Sequence, residues 1–367
     1  MTSAPRSVVV IGTGLIGTSI ALALRERGTS VWLSDVDRSA ARLAADLGAG
    51  ELLPGSGPPG GQAEVAVLAV PPAVVAAALL AAQQRGLAAC YTDVASVKEL
   101  PLREAARLGC DLATFVPGHP MSGRERSGPA AARADLFAGQ SWVVCPGGQT
   151  APQAVAAVTG LATACGATPV VLPAAEHDRW VALVSHVPHL VASAMAALCA
   201  GAPAGALALA GPGLRDVTRI AAGDAGLWTE ILTANAGPVR AALLAVAAQL
   251  AAASEALDGV TAGRADAVKE LTAVLEAGRA GVEAIPGKRG GPAPHYAVVQ
   301  AVIGDRPGEL ARLFVAAGEA GINIEDVRIE HSPGLPAGVA ELSVRPEVAQ
   351  RLSAALAARG WPVASPA

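Results

Sequence analysis

Residues 7–17 have the sequence SVVVIGTGLIG, in which a β-branched apolar run passes directly into a glycine-rich turn. The run predicts a buried strand, and the residues after the turn predict a helix. Gly12 permits the tight turn, Gly14 lets a ligand approach the backbone, and Gly17 allows the helix to pack closely on the strand. The free N–H groups at the start of that helix can bind phosphate. The stretch therefore predicts the first unit of a doubly wound parallel sheet that binds a dinucleotide.

The second predicted strand, 30–35, ends in a carboxylate that bears on the choice of dinucleotide. Asp35 can accept hydrogen bonds from both hydroxyls of the adenosine ribose, and it repels a 2′-phosphate. NAD is therefore favoured over NADP, although Arg38 nearby weakens the discrimination. The alternative is that the glycines serve only a turn and Asp35 only a solvated strand end. The residues predicted to contact NAD are Gly12, Gly14, Leu15, Ile16, Gly17, Asp35, Val70 and Pro71.

Apolar strand-like segments continue to alternate with helical ones up to residue 173. Such alternation of buried strands and helices is typical of a parallel sheet covered on both faces. Segments 142–145 and 168–172 are expected to be the last strands of the same sheet. Residues 1–173 would then form a Rossmann-like NAD-binding domain. The further strands predicted in this region are 64–70, 88–94, 113–117, 142–145 and 168–172.

The pattern changes after residue 174, where Ala- and Leu-rich helical segments replace the strands as far as residue 284. The Pro- and Gly-rich segment 285–295 predicts a linker. The remaining segment, 296–367, has the order strand, helix, strand, turn, strand, helix and short strand, which predicts a ferredoxin-like βαββαβ unit. We therefore expect an α/β domain, an all-helical domain and a small α/β module.

The composition argues against several classes of protein. Charged residues make up 16% of the chain and the formal net charge is −4, so no basic surface for nucleic acid is expected. The five cysteines are widely spaced and form no CxxC pair, which argues against a disulfide framework and a zinc site. We predict no metal and a reducing, cytoplasmic environment.

One segment is apolar enough to raise the question of a membrane. Residues 65–82 carry no charge, but Pro71 and Pro72 in their middle would break a spanning helix. We predict a buried strand, a turn and a helix here. The other Ala-rich stretches are short or contain Gly and Pro, and the N-terminus lacks the apolar region of a secretion signal. No membrane span is expected.

Three clusters of polar residues carry the candidate chemistry. The first two directly follow predicted strands, at the edge where ligands of open α/β sheets bind. The third lies in the helical region. The clusters are DVASVK at 93–98, GHPMSGRE at 118–125, and SHVPH at 185–189 followed by Asp216, Arg219 and Trp228.

Chemistry alone suggests roles for these clusters. Oxidation of a hydroxyl compound by NAD needs a base for the hydroxyl proton, and His119 is suited to that task. Ser96 could orient His119 or the substrate hydroxyl, and Arg219 could hold a carboxylate in its planar fork.

Each of these residues also has a purely structural interpretation. A histidine beside proline is often part of a loop, and Asp216 with Arg219 has the spacing of an ion pair on a helix surface. His186 and His189 could be buried polar groups at a kink or, less favourably, metal ligands without a matching carboxylate cluster. Trp228 taken alone is typical of a core residue.

Taken together, the order and the residues of these clusters resemble the prephenate dehydrogenase family, which includes arogenate and cyclohexadienyl dehydrogenases. The resemblance covers roughly residues 7–285. It runs through the glycine-rich turn with its Leu-Ile insert, DxxSVK, GHPMSGxE, SHxPH, DxTR and Trp228. The GHP and SHxPH motifs are specific, whereas many enzymes share the glycine-rich turn.

The resemblance implies the NAD-dependent conversion of prephenate into 4-hydroxyphenylpyruvate and CO2. It implies that His119 accepts the proton of the ring hydroxyl and that Ser96 hydrogen-bonds at the same place. Arg219 would hold a substrate carboxylate, and His189 would contribute to substrate binding.

The resemblance also assigns supporting positions and an assembly. Ser185, Glu125 and Asp216 match polar positions that support substrate binding. Trp228 matches a residue that approaches the site from the partner subunit, which implies a homodimer built on the helical domain. Residues 210–214 depart from the family's glycine-rich run before DxTR, and they bear on the substrate side chain. Arogenate dehydrogenase, which gives tyrosine directly, therefore remains the alternative.

The C-terminal module resembles an ACT domain over about residues 296–365. The signature is DRPGEL at 305–310 followed by GINI at 321–324. In such domains an effector often lodges between these two segments, so Asp305, Pro307, Gly308 and Asn323 are predicted to bind an aromatic amino acid, most plausibly tyrosine. The alternative is a structural or dimerising appendage.

Two other functions compete with this interpretation. A β-hydroxyacid dehydrogenase or imine reductase would place a catalytic Lys or Asp in the helical domain, where this chain has SHVPH and DVTR. A non-catalytic sensor of NAD and amino acids would tolerate the loss of His119 or Ser96, and both are present.

Overall fold

The computed structural model describes residues 4–123, 126–286, 296–331 and 337–364. The chain divides into two compact units, residues 1–247 and 248–367. Of the predicted linker, residues 287–295 lie outside the described residues. The predicted division at residues 173, 284 and 295 stays a prediction.

The first unit begins with a five-stranded sheet in the order β3-β2-β1-β4-β5, in which every pair is parallel. Helices connect β1 to β2, β2 to β3 and β4 to β5, and a loop connects β3 to β4, so the predicted Rossmann-like sheet is confirmed. The strands are β1 Ser7–Ile11, β2 Ser30–Ser34, β3 Glu51–Leu52, β4 Ala63–Leu68 and β5 Ala88–Asp93.

Side chains of the central strand pack alternately on the two faces of this sheet, as strand geometry requires. Val8 and Val10 belong to one buried cluster with Ile20 of the first helix, whereas Val9 belongs to another with Leu79 of the third. Both faces are thus covered, which explains the continuous apolar strands in the sequence. The helices of this region are α1 Leu15–Arg25, α2 Arg38–Asp46, α3 Val75–Gln84, α4 Glu99–Arg107 and α5 Pro152–Ala164.

Two details of the α/β region differ from the prediction. Segment 113–117 pairs with β5 only through a bridge between Phe115 and Tyr91. The predicted last strands form a second sheet, in which β6 (Gly118–Pro120) is antiparallel to β7 (Ser141–Val144) and β7 is parallel to β8 (Thr168–Val171). Pro117 has no N–H to extend the first ladder, and its carbonyl accepts from Cys145 instead. His119 therefore lies in a short strand and not in a loop.

The described residues from 174 to 286 form helices joined by turns and contain no strand, as predicted. A π-helical turn, Ala182–His186, joins the first two helices, directly before Pro188. The helices are α6 Ala174–Val181, α7 Val187–Ala200, α8 Ala204–Leu207, α9 Pro212–Thr218, α10 Ala225–Ala234, α11 Ala236–Thr261 and α12 Ala267–Glu283.

By length and composition alone, two helical stretches are apolar enough to cross a membrane. In the apolar window of 174–200, 33% of the residues are buried, and in that of α11 only 6%. Length and composition cannot distinguish a membrane span from a helix that another protein surface covers. Segment 65–82, in contrast, forms β4, a 3-10 turn at Pro72–Val74 and most of α3, as predicted.

The second unit contains an antiparallel sheet in the order β10-β11-β9, with Val363 bridging Ala301 at the other edge of β9. The predicted alternation of strands and helices is observed, except that the final strand is only this bridge. Gly321, with φ +65°, begins a loop after α13, and β10 begins at Asp326. The elements are β9 Ala297–Gly304, α13 Glu309–Glu319, β10 Asp326–His331, β11 Ala337–Val344 and α14 Pro346–Ala357.

Candidate active site

The glycine-rich turn is too crowded for side chains at two of its three glycines. Gly12 has φ +99°, and a Cβ there would lie 2.1 Å from the carbonyl oxygen of Ala69. A Cβ at Gly17 would lie 1.9 Å from the carbonyl oxygen of Gly12. Gly14 differs, since it is exposed and a Cβ there would have no neighbour within 4 Å. A ligand can therefore reach the backbone at Gly14.

The start of α1 fits a bound pyrophosphate. Gly14 is its N-cap, no side chain caps it, and no acidic residue lies in its first turn. Its N–H groups and positive dipole end are thus available to an anion. Leu15 and Ile16 are partly exposed beside this turn, and so is Val70; Pro71 is exposed.

Asp35 lies one residue beyond β2 and is fixed by the turn itself. Its Oδ2 accepts hydrogen bonds from the N–H of Thr13 at 2.6 Å and from Oγ1 of Thr13 at 2.9 Å. Its Oδ1 accepts from the N–H of Asp37 at 2.9 Å. A carboxylate held beside a dinucleotide-binding turn is suited to the ribose hydroxyls of NAD.

A buried ion pair connects the DVASVK segment to the strand that carries His119. The Lys98 ammonium donates to Asp93 Oδ2, and both side chains are fully buried. Lys98 Nζ also donates to the carbonyl oxygen of Gly118 at 2.6 Å, and Asp93 Oδ1 accepts from the N–H of Gly118 at 3.3 Å. The pair therefore holds both backbone groups of the residue directly before His119.

A second network holds the imidazole of His119. Its Nδ1 lies 2.8 Å from Nε2 of His177, and Nδ1 of His177 lies 2.7 Å from Oδ1 of Asp178. The Asp178 carboxylate also accepts from the N–H groups of Lys98 at 2.8 Å and Glu99 at 2.9 Å. α6 is thus bonded to the start of α4 and to β6 through buried polar groups.

The surroundings of His119 favour its neutral form. Burial lowers the pKa of His119 well below the usual value of 6.5, and the nearby His177, Lys98 and His186 lower it further. A neutral imidazole can accept a proton, which is what a general base requires. His119 as a whole residue is partly exposed, so a ligand can approach it.

The SHVPH segment joins the same network through a residue that the sequence analysis did not select. Asn235 Nδ2 donates to the carbonyl oxygen of Asp178 at 2.8 Å and lies 3.1 Å from Nδ1 of His186. Burial lowers the pKa of His186 to about 4, although Asp178 opposes that shift. His186 is therefore a neutral, buried link between the π-helical turn and the start of α11.

Trp228 and His189 form a stacked pair. Their ring centroids lie 3.7 Å apart with an interplanar angle of 11°, and the edge of Trp228 also meets His186 at 6.2 Å. A Cβ at Gly223 would lie 2.6 Å from Trp228 Nε1 and 3.0 Å from His189 Cε1. The resemblance implied that the residue matching Trp228 comes from a partner subunit, but here the indole lies against His189 of its own chain.

The other predicted substrate residues lie wholly or partly at the surface, where they are described. Ser96 and Ser185 are partly exposed, and neither hydroxyl makes a hydrogen bond within the described ranges. Arg219 is exposed at the start of a 3-10 turn, Arg219–Ala222, that packs against α7. Asp216 is exposed on α9. Glu125 lies outside the described residues.

Sequence reasoning missed His177, Asp178 and Asn235. A signal for the first two was present, since a His-Asp pair lies in the helical segment shortly before SHVPH. Asn235 gave no such signal, because its partners are far away in the sequence. In the part of the chain that the structure describes, no group of three or more His, Cys, Asp or Glu residues could hold a metal ion.

A cavity of about 310 Å³ lies in the second unit, between the end of β9 and the start of α13. Asp305 and Gly308 line it, together with Leu310 and Ile329. Pro307 and Asn323 do not line it, and Asn323 Nδ2 instead donates to Glu325 Oε1 at 2.9 Å. Two of the four predicted effector residues therefore border this cavity.

Two family profiles match the chain. The profile described as "Prephenate dehydrogenase, nucleotide-binding domain" matches residues 20–171. The profile described as "Prephenate dehydrogenase, dimerization domain" matches residues 173–276. The second match covers the His177, His189 and Trp228 positions of the site.

Individual relatives extend the comparison. The chain is 40% identical over 365 residues to the probable prephenate dehydrogenase NovF of Streptomyces niveus, covering 98% of this chain and 100% of that protein. It is 26% identical to the crystal structure of Synechocystis arogenate dehydrogenase, with a TM-score of 0.62 over 75% of this chain and 98% of the other.

A third comparison concerns the fold. The structure of prephenate dehydrogenase from A. aeolicus in complex with hydroxyphenyl propionate and NAD+ has a TM-score of 0.65 to this chain at 24% identity. The likeness covers 77% of this chain and 100% of the other. The α/β and helical regions thus have the fold of a dehydrogenase that binds NAD.

Proposed function

This chain belongs to the prephenate dehydrogenase family, and we propose that it oxidises prephenate with NAD to 4-hydroxyphenylpyruvate, CO2 and NADH. The observation that carries the proposal is the setting of His119. His119 is neutral and fixed by two buried networks, one of which bonds Gly118 to Asp93 at the carboxyl end of β5, in the parallel sheet that begins with a dinucleotide-binding turn. The identity of 40% over nearly the whole chain supports the same activity.

In this proposal His119 is the general base. It accepts the proton of the ring hydroxyl as hydride leaves the carbon that bears it, and the ring carboxylate departs as CO2. Formation of the aromatic ring drives the reaction forward. NAD, when bound, supplies the hydride acceptor. A positioned base contributes about 10²–10⁴-fold to the rate, and orientation of the substrate contributes further.

The remaining polar residues bind and orient the substrate. Ser96 hydrogen-bonds at the reacting hydroxyl, since its own hydroxyl has no partner in the described parts of the chain. Arg219 holds a carboxylate, because an exposed guanidinium offers a planar pair of donors. His189, stacked by Trp228, forms another wall of the site. Ser185, Asp216 and Glu125 complete the proposed set.

The test is NADH formation by the purified chain with prephenate and with arogenate, each with NAD and with NADP. We expect turnover with prephenate and NAD. Preference for arogenate would change the substrate but keep the reaction, and the likeness to an arogenate dehydrogenase makes this arm necessary. No turnover in any arm would contradict the proposal and favour a non-catalytic sensor.

The role of His119 has its own test. His119→Asn keeps a polar side chain but loses the base, so kcat should fall by about 10²–10⁴-fold while KM for prephenate changes little. His331→Asn, in the second unit, is the matched control and should leave kcat unchanged. Near-normal turnover of His119→Asn would remove His119 from its role.

We also propose a homodimer that covers the apolar face of α11. Leu243, Leu250 and Leu257 lie on one face of this helix and are 38%, 65% and 53% exposed, and the matching profile is that of a dimerization domain. Leu250→Glu should shift the mass measured by light scattering from dimer towards monomer, whereas Glu255→Gln on the same helix should not. A monomeric wild-type protein at micromolar concentration would overturn this proposal.

The C-terminal module is proposed to be an ACT domain that binds an aromatic amino acid at its cavity. Asp305 and Gly308 line the cavity, and Ala311 borders it from α13. Tyrosine should change the activity of the wild-type chain and bind in calorimetry. Ala311→Phe, which fills the cavity, should abolish both effects, and exposed Ala354→Phe on α14 should preserve them. Absence of any tyrosine effect on the wild type would refute the assignment.

The domain boundaries and the location belong to the same proposal. We place the NAD-binding domain at 1–173, the helical domain at 174–284, the linker at 285–295 and the ACT domain at 296–367. A biosynthetic enzyme that uses NAD is expected in the cytoplasm.

A further inference from the structure

His119 is connected through two successive side chains to the backbone of α4. The chain of hydrogen bonds runs from His119 Nδ1 to His177 Nε2 at 2.8 Å, and from His177 Nδ1 to Asp178 Oδ1 at 2.7 Å. His177 and Asp178 are both about 1% exposed, and neither is needed to contact a substrate. Their arrangement fixes which ring nitrogens carry protons.

Asp178 determines the direction of these hydrogen bonds. Its Oδ1 accepts from the N–H of Lys98 as well as from His177, and its Oδ2 accepts from the N–H of Glu99. Both backbone partners of the carboxylate among the described residues are donors, and Nδ1 of His177 supplies the proton of the remaining contact. The start of α4 adds a favourable helix dipole for the negative charge. With one proton on the ring of His177, at Nδ1, its Nε2 is left as an acceptor.

The acceptor at His177 decides the tautomer of His119. Only a proton on Nδ1 of His119 makes the 2.8 Å contact a hydrogen bond, which leaves Nε2 of His119 unprotonated. We propose that His177 and Asp178 are positioning residues that hold His119 in the tautomer whose free Nε2 takes the substrate proton. The catalytic part of this inference rests on the proposed function, whereas the tautomer itself does not.

The charged and titratable groups around the two histidines are few. From the sheet edge, Lys98 faces His119 while paired with Asp93. From the π-helical turn, His186 faces both rings. Lys98 and His186 both disfavour an extra proton on His119, so the neutral, single-tautomer state is consistent with the whole environment.

The direct test is the protonation of the ring nitrogens by NMR, with ¹⁵N-labelled histidine and assignment by His119→Asn. In the wild type without substrate, we expect His119 to have a protonated Nδ1 and a bare Nε2. His177→Phe removes the acceptor and should shift His119 towards the other tautomer. A wild-type spectrum with a protonated Nε2 on His119 would overturn the inference, whatever the activity of the protein.

Kinetics test the catalytic consequence with a graded set of variants. His177→Phe should lower kcat on the order of 10²-fold, with KM for prephenate within about twofold, because a wrong tautomer removes the base but not the binding groups. His177→Gln can present an oxygen near the position of Nε2, so it should recover at least tenfold of that loss. Exposed Arg179→Gln on the same helix is the control and should match the wild type.

The outcomes separate the inference from the proposed function. Wild-type kcat in His177→Phe would refute the positioning role even if prephenate is the substrate. Conversely, a wild type inactive on prephenate and arogenate that still shows the predicted tautomer would refute the proposed function and leave the His177–Asp178 arrangement standing. The spectrum of the wild type alone tests the tautomer, so the inference can be refuted even if a variant fails to fold.

Discussion

The ammonium group of Lys98 lies 2.6 Å from the carbonyl oxygen of Gly118, so a buried cation fixes the backbone directly before His119. The same ammonium neutralises Asp93, whose carboxylate is fully buried and in turn accepts from the N–H of Gly118. The DVASVK and GHP motifs are therefore parts of one structure. Its rigidity positions the proposed base.

Removing the cation alone should be costly for the fold. Lys98→Met leaves Asp93 as an uncompensated buried charge, which typically lowers the free energy of unfolding by about 3–5 kcal/mol. Urea unfolding measures the loss, and Lys269→Met at an exposed position is the control. The double variant Asp93→Asn/Lys98→Met should recover part of the stability. A loss below about 1 kcal/mol, as for surface pairs, would contradict the burial of this pair.

The glycine before His119 is expected to be required by space. A Cβ at Gly118 would lie 3.0 Å from Thr92 Oγ1 and from Trp142 Nε1, and 3.1 Å from the carbonyl oxygen of Asp93. Gly118→Ala should therefore lower the free energy of unfolding by about 1–3 kcal/mol.

Displacement of β6 should also move His119 and lower kcat for prephenate by at least tenfold in the same Gly118→Ala variant. Gly148→Ala, where nothing lies within 4 Å, is the matched control for both measurements. Unchanged melting and unchanged kcat in Gly118→Ala would show that β6 adjusts freely.

Asp35 should decide the preference for NAD. Asp35→Ala removes the acceptor for the ribose hydroxyls and the repulsion of a 2′-phosphate, so kcat/KM for NAD should fall about 10–100-fold. The ratio of kcat/KM for NAD to that for NADP should fall at the same time, because the repulsion between Asp35 and a 2′-phosphate is removed. Asp46→Ala, exposed at the end of α2, makes the same charge change and should alter neither value. An unchanged ratio would argue against this site for the adenosine ribose.

The buried histidines should make the fold sensitive to acid. The pKa of His186 is lowered to about 4 by burial, and that of His189 is lowered for the same reason. A folded-state pKa below the unfolded value of 6.5 means that the unfolded chain binds more protons. This stability is therefore complete above pH 6.5 and is lost as the pH falls towards 4.

The contribution of His186 can be isolated with His186→Asn, whose oxygen can still accept from Asn235. Between about pH 6.5 and 5, the wild type should lose on the order of 1 kcal/mol more unfolding free energy than this variant. Comparing the two proteins removes the effect of carboxylates elsewhere in the chain. If the unfolding free energies of the two proteins changed in parallel with pH, His186 would have the same pKa in the folded and the unfolded chain.

Local patterns were enough to predict much of the fold, because they act through neighbours in the sequence. The SVVVIG run predicted a buried strand, and the spacing of its glycines predicted a dinucleotide-binding turn. The change to Ala-rich helices after residue 174 and the strand–helix order after 296 were equally local signals. Errors occurred at 113–117 and 142–145, where the partner of a strand, and not its propensity, had to be known.

The site divides in the same way. Sequence alone selected His119, because it follows a predicted strand, is suited to act as a base, and lies in a GHP motif that resembles the family. Sequence alone did not identify His177 and Asp178. His177 Nε2 lies 2.8 Å from His119 Nδ1, and Asp178 is bonded to the other ring nitrogen of His177. Hydrogen bonds between residues 58 positions apart depend on how α6 packs against β6 and α4. Sequence motifs and the hydrophobic pattern therefore determined which residues carry the chemistry. Only the packing of helices and strands that are distant in the sequence determined what holds those residues in place.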